Sequence, residues 1–261
     1  FGAALATVCG QGLSFMIAIV YLHSRREPFG FDFRPASFIP DRKCLSAFLK
    51  QGIPIALQHC AITSSMLFVS SFLNSYGLTV SAVNGVGSKL VLLSYIVTNG
   101  LNQAASSMIG QSFGAGRFDR IKIVIRSVFL IGFSFCALLS VAIALFPEQI
   151  FSLFDKDPDV LAMSHTYVKV AVVNYMGAAF RAPFTAFVNG VGFAVMNFFM
   201  GIADGIVMRV CLAMLLGLVC GLGIMGFWLG SALAGYTYFI VVFPYYLSGK
   251  WKKRRLAVDI T

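Results

Sequence analysis

The sequence predicts an all-α integral membrane protein, and three observations carry that prediction. Hydrophobic residues fill 58% of the 261 positions and charged residues only 11%, where a soluble domain carries about 25% charged. Mean hydropathy is +0.84. The apolar residues gather in seven runs, each near the roughly 20 residues that an α-helix needs to cross a bilayer. Strands of a membrane barrel would be about 10 residues long and strictly alternating, and these runs are longer and more uniform.

Taken in order, the runs are roughly 2–22, 51–75, 80–112, 124–146, 161–187, 194–217 and 222–247. The chain opens on Phe1 inside an apolar stretch, with no basic leader segment, and reads as a piece of a longer protein. Segment 23–50 contains three prolines and mixed charge and reads as a cytoplasmic linker. It holds Arg25, Arg26, Arg34, Arg42, Lys43 and Lys50. A second basic cluster, Arg117, Arg120, Lys122 and Arg126, separates the third and fourth runs. A third, Lys250, Lys252, Lys253, Arg254 and Arg255, fills the tail 248–261. The connections between these clusters are neutral or acidic: "NSYGLT" has no charge, and "FPEQIFSLFDKDPD" sets Lys156 against four acids. Basic loops stay in the cytoplasm, so the chain is expected to start outside and end inside. The net charge of +10 is thus an orientation signal and predicts no nucleic-acid partner; membrane lipid is the surrounding partner.

Chemistry is sparse. The six cysteines show no metal-ligand spacing and read as free packing residues, so no metal site is expected. Gly110 to Gly116 lacks the Lys-Ser/Thr ending of a phosphate-binding loop. No nucleophile–base set is visible, and the chain does not read as an enzyme.

The stretch "GLNQAASSMIGQSFGAGRFDR" (100–120) ends an apolar run with small residues, then glycines, then basic residues. Ala104, Ala105, Ser106, Ser107 and Gly110 would let a neighbouring backbone approach closely. Gly114 and Gly116 would allow the left-handed conformation that ends a helix. This stretch resembles the signature of the multidrug and toxic compound extrusion (MATE) transporters, matching at Gln103, Ala104, Gly110, Gln111, Gly114, Ala115, Gly116 and Arg117. "QGIPIALQ", "GSKLVLL" and "ADGIVMRV" resemble the family too.

The resemblance implies a multi-pass protein of the cell (inner) membrane with twelve helices in two lobes. Residues 1–22 would be the last helix of the first lobe, 23–50 the interlobe linker, 51–247 the six-helix second lobe and 248–261 a basic tail. It implies a secondary antiporter that exports organic, often cationic, drugs or toxins in exchange for Na⁺ or H⁺. No tightly bound cofactor is implied. The partners implied are the missing N-terminal lobe and a small organic substrate. Some members carry a carboxylate on the first or fourth helix of this lobe as part of a cation site. Here "QHCAITSSMLF" and "VNYMGAAFRAPF" contain none, so the coupling site is expected in the first lobe. A lipid-linked saccharide flippase of the same superfamily and a seven-helix receptor are the alternative readings.

Charges inside a membrane are functional candidates. Lys89, Lys169, Arg181, Asp204 and Arg209 lie within the runs, and Asp204 is the one carboxylate among them. Arg181 and Asp204 stand at similar distances from the connection Gly190–Gly192 and are expected to face each other, as an ion pair or as part of a coupling site. Arg209, five residues past Asp204, lies about 140° round an α-helix and is the poorer partner. Neutral polar residues form stripes at helical spacing: Tyr95, Asn99, Asn102 and Ser106; Tyr167, Asn174 and Arg181; Gln58 and Ser65. From these, Gln58, Tyr95, Asn99, Asn102, Asn174 and Arg181 are the candidate substrate-cavity residues.

Overall fold

A computed structural model describes residues 2–24 and 41–253. The chain divides between Phe48 and Leu49 into two compact units. Helix α1 (Gly2–Ser24) lies in the first. Helix α2 (Arg42–Asn74) starts there and runs on into the second. The second unit continues with α3 (Leu78–Gly114), α4 (Phe118–Leu145), the short α5 (Pro147–Ser152), α6 (Pro158–Gly190), α7 (Ala194–Val219) and α8 (Gly223–Leu247). No strand occurs among the described residues.

Six of these helices, α1, α2, α3, α4, α7 and α8, are long and apolar enough to cross a membrane. The seventh expected span, 161–187, forms α6, which is as long as α2 but falls outside that set. Its sequence carries Lys169, Asn174, Arg181 and Pro183. Burial explains the difference: Val170, Ala171, Tyr175, Gly177, Ala178, Ala179 and Ala182 are all covered by neighbouring helices. A helix so enclosed needs small residues more than lipophilic ones.

Part of the segment expected as a linker, 23–50, is helical. Residues 25–40 lie outside the described part, but Arg42 to Lys50 are already the first turns of α2. Nothing from Arg42 to the apolar run breaks a helix, and Pro54 is accommodated inside it. The described part of the tail is ordered too. Trp251 is buried against Phe113, Phe118, Phe187 and Tyr246, and its Nε1 donates to the Tyr246 carbonyl at 2.9 Å.

Helix ends follow local chemistry. After Gly114, the Gly116 amide donates to the Phe113 carbonyl at 3.0 Å and the Arg117 amide to that of Ser112 at 2.8 Å. Gly116 is left-handed, φ +67°. These are the two bonds of a Schellman stop. Gly114 itself is helical, so of the two glycines only Gly116 meets that expectation. The same pair of bonds ends α6 around Gly192 (φ +69°), from Gly192 to Asn189 and from Phe193 to Val188, both at 3.0 Å. At its other end α6 starts on Asp157, whose carboxylate accepts the Asp159 amide at 2.9 Å, with Pro158 as the first helical residue.

Glycine lets the bundle close. A Cβ at Gly190 would stand 2.7 Å from Ile109 Cβ and 2.8 Å from the Ser106 carbonyl, so α3 and α6 touch backbone to backbone. Gly226 and Gly230 lie in the same way against Leu216 and Ala213, joining α8 to α7. Of the cysteines expected to pack, Cys136 is buried, whereas Cys9, Cys60, Cys211 and Cys220 are exposed. Helix α7 is unusual: residues Ala203–Cys211 and Leu215–Val219 are π-helical, with one more residue per turn's hydrogen bond than an α-helix.

Candidate functional site

The π-helical stretch decides the charge geometry. In an α-helix, Asp204 and Arg209 would point apart. In a π-helix, residues five apart stack one turn above the other. Arg209 Nη2 therefore donates to Asp204 Oδ1 at 3.3 Å. Arg181, on α6, places Nη1 3.0 Å from Asp204 Oδ2, an ion pair whose angle misses that of a hydrogen bond. One carboxylate thus sits between two guanidinium groups. Arg209, expected to be the poorer partner, also pairs with Asp204, and the cause is the local change of helix type.

The aspartate and Arg209 are buried, and Arg181 is partly exposed. Asp204 is 0% exposed, Arg209 1% and Arg181 19%. Arg209 also donates to Ser231 on α8, to Oγ at 2.9 Å and to the carbonyl at 3.2 Å. The Arg181 guanidinium lies 5.2 Å from the centre of the Tyr238 ring. Gln58 Nε2 donates to the Tyr238 hydroxyl, so α2, α6, α7 and α8 meet here. A buried charge is tolerable when it is paired and bonded, and this one has several partners.

Arg209 also borders a cavity of about 380 Å³ between α2, α3, α6, α7 and α8. Its walls include Asn84, Tyr95, Tyr167, Asn174, Trp228 and Ser231. Trp228 Nε1 donates to Asn84 Oδ1 at 3.3 Å, and Asn84 Nδ2 donates to Ser70 Oγ at 3.1 Å. That chain fixes the polar wall across three helices.

Of the six expected cavity residues, Tyr95 and Asn174 line this cavity and the other four do not. Gln58 is buried against Tyr238, and Arg181 is turned to Asp204. Asn99 is exposed, and Asn102 is half-buried with an unpartnered Oδ1. The reason is depth: Asn84, Ser88 and Tyr95 line the cavity, and Asn99 and Asn102 stand about 6 and 10 Å further along α3, past the last lining residue of that helix. Asn84 and Ser88 continue the same spacing outward from Tyr95 and were readable on that signal. Trp228 and Ser231 lie inside the apolar run 222–247.

The signature residues Gln103, Gln111, Gly114, Ala115, Gly116 and Arg117 are exposed and Gly110 is half-buried. They form the end of α3, away from the cavity lining. Lys89 and Lys169 are exposed; Lys89 lies 5.5 Å from the Phe154 ring centre. Among the described residues no cluster of metal-ligating side chains occurs.

Comparison with known proteins places this geometry in a family. Residues 54–215, more than half of the chain, match the MatE family. The chain is 27% identical over 257 residues to the probable multidrug resistance protein YoeA of Bacillus subtilis, covering 98% of this chain and 55% of that protein. It is 23% identical to the probable multidrug resistance protein NorM of Thermotoga maritima, over 97% of this chain and 54% of that protein. The crystal structure of a mutant Vibrio cholerae MATE transporter, VcmN, superposes with a TM-score of 0.83 at 16% identity, over 97% of this chain and 57% of that one. The chain thus spans about half the length of the relatives it matches.

Proposed function

Because this chain belongs to the MatE family, we propose that the complete protein is a secondary antiporter that exports organic drugs or toxins in exchange for Na⁺ or H⁺. The family match over residues 54–215 carries this reading. The names of the relatives, multidrug resistance proteins, support it. The chain is a multi-pass membrane protein, as its apolar helices and its family imply.

The proposed mechanism uses two lobes. Residues 51–247 form one, and a second, N-terminal lobe closes the substrate path from the other side, so that the two rock about a site between them. The protein is not an enzyme; no bond is made or broken. The chain ends in the cytoplasm of the inner membrane, on the argument of the basic loops. Asp204 serves the structure: its carboxylate is already paired with two guanidinium groups. Ion coupling then falls to the other lobe.

The test is export. Cells lacking their main efflux pumps and expressing the complete protein should retain less of a fluorescent drug such as ethidium or a fluoroquinolone. Collapsing the Na⁺ gradient or the H⁺ gradient alone should restore retention in one case. Retention unchanged across a broad panel of compounds, with the protein in the membrane, would overturn the reading.

A further inference from the structure

We propose that the cavity beside Arg209 binds the anionic end of an aromatic organic compound, a carboxylate above all, so that the cargo of this transporter includes organic anions. The inference rests on the transporter reading for its biological use, but the binding it describes can be measured without transport.

Charge carries the argument. Two buried arginines share one aspartate, which leaves the cluster with an excess positive charge. The excess is presented on one side. Asp204 does not line the cavity and is fully buried, whereas Arg209 does line it. Among the described residues no carboxylate lines the cavity to offset Arg209. Arg209 Nε has no hydrogen-bond partner, although the side chain is only 1% exposed. The unpartnered N–H leaves the buried guanidinium short of one acceptor, and a negative charge in the bordering cavity would lower the cost of the unbalanced positive charge.

The remaining walls fit the same ligand. Ser231 Oγ already accepts from Arg209, so its own proton is available to an incoming acceptor. The Asn174 side chain can donate as well. Tyr95, Tyr167 and Trp228 supply aromatic faces, and Trp228 is held edge-on to Tyr167 with ring centres 5.1 Å apart. About 380 Å³ lies at the lower end of the range for sites that enclose a small organic molecule. An organic cation meets the opposite situation here: a fixed positive charge nearby and no carboxylate on the wall.

Equilibrium binding to the complete protein, purified and delipidated in neutral detergent, tests this with three probes of one shape: a naphthalene carboxylate, its neutral methyl ester and the matching naphthalene methylammonium. The carboxylate should bind at least tenfold more tightly than the ammonium. Arg209→Gln should remove that preference while leaving Asp204 paired with Arg181. Should Arg209→Gln fold poorly, Asn174→Asp sets a carboxylate on the cavity wall and should reverse the preference. Ammonium binding as tight as carboxylate binding would overturn the proposal while leaving the transport reading intact. Displacement of the carboxylate by equimolar phosphatidylglycerol would also overturn it, by assigning the site to a lipid headgroup. Drug export that fails with all three probes still bound in the expected order would instead count against the transport reading.

Discussion

At the scale of single residues, Asp204 is the carboxylate that two arginines share. Removing its charge leaves Arg181 and the buried Arg209 without a counter-ion. Breaking a buried pair in this way costs on the order of 3–5 kcal/mol. Asp204→Asn is therefore expected to lower the melting temperature and detergent-extracted yield of the complete protein, and Arg181→Gln to do so less, because Arg209 still pairs the carboxylate. Equal effects of the two substitutions in a thermal-unfolding assay would contradict the shared-carboxylate geometry. The facing of Arg181 and Asp204 was legible from their matched distances to Gly190–Gly192. The role of Arg209 was not, because periodicity was counted at 3.6 residues per turn, and a π-helical segment has no hydrophobic signature that distinguishes it.

Among the helices, close contact is governed by glycine. Gly190→Ala would drive a methyl group into Ile109 Cβ and the Ser106 carbonyl, and the backbones of α3 and α6 would have to part. A loss of about 1–3 kcal/mol is expected, as for overpacking in a core, read as a lower midpoint of unfolding; an unchanged midpoint would show that the two helices do not touch there. The π-helical part of α7 gives a second expectation. Deleting Val207, which is exposed, brings Asp204 and the arginine to i, i+4, the spacing at which an α-helix juxtaposes them. Deleting exposed Ile131 from the wholly α-helical α4 turns every later residue of that helix by about 100°. Fluorescence-detected gel filtration should find the first variant monodisperse and the second aggregated. Helix positions were legible because apolar runs of this length have one structural solution in lipid. Which polar residues reach the cavity was legible only near Tyr95, since periodicity gives the face of a helix but not the depth at which a cavity ends.

For the whole molecule, the proposed orientation rests on the basic loops. In a cysteine-free version of the complete protein, Ser75→Cys and Asp157→Cys should react with an impermeant thiol reagent added to intact cells, and Arg120→Cys should not; labelling at 120 would invert the topology. A last consequence concerns α6, the long inner helix that is too polar to count among the apolar spans. Membrane helices are normally released into lipid one at a time during synthesis, each on its own hydrophobicity. With Lys169, Arg181 and Asn174 along its length, α6 lacks that independence, since a central arginine or lysine opposes insertion by about 2.5–3.5 kcal/mol. It must wait at the insertion machinery until α3 and α4, or the later α7 carrying Asp204, can cover it. Residues 158–190 placed alone in a glycosylation reporter should therefore insert poorly, and should insert efficiently when the chain runs from α2 through α8. Efficient insertion of the isolated segment would remove the need for such an order, and with it the idea that this lobe is assembled around its least apolar helix.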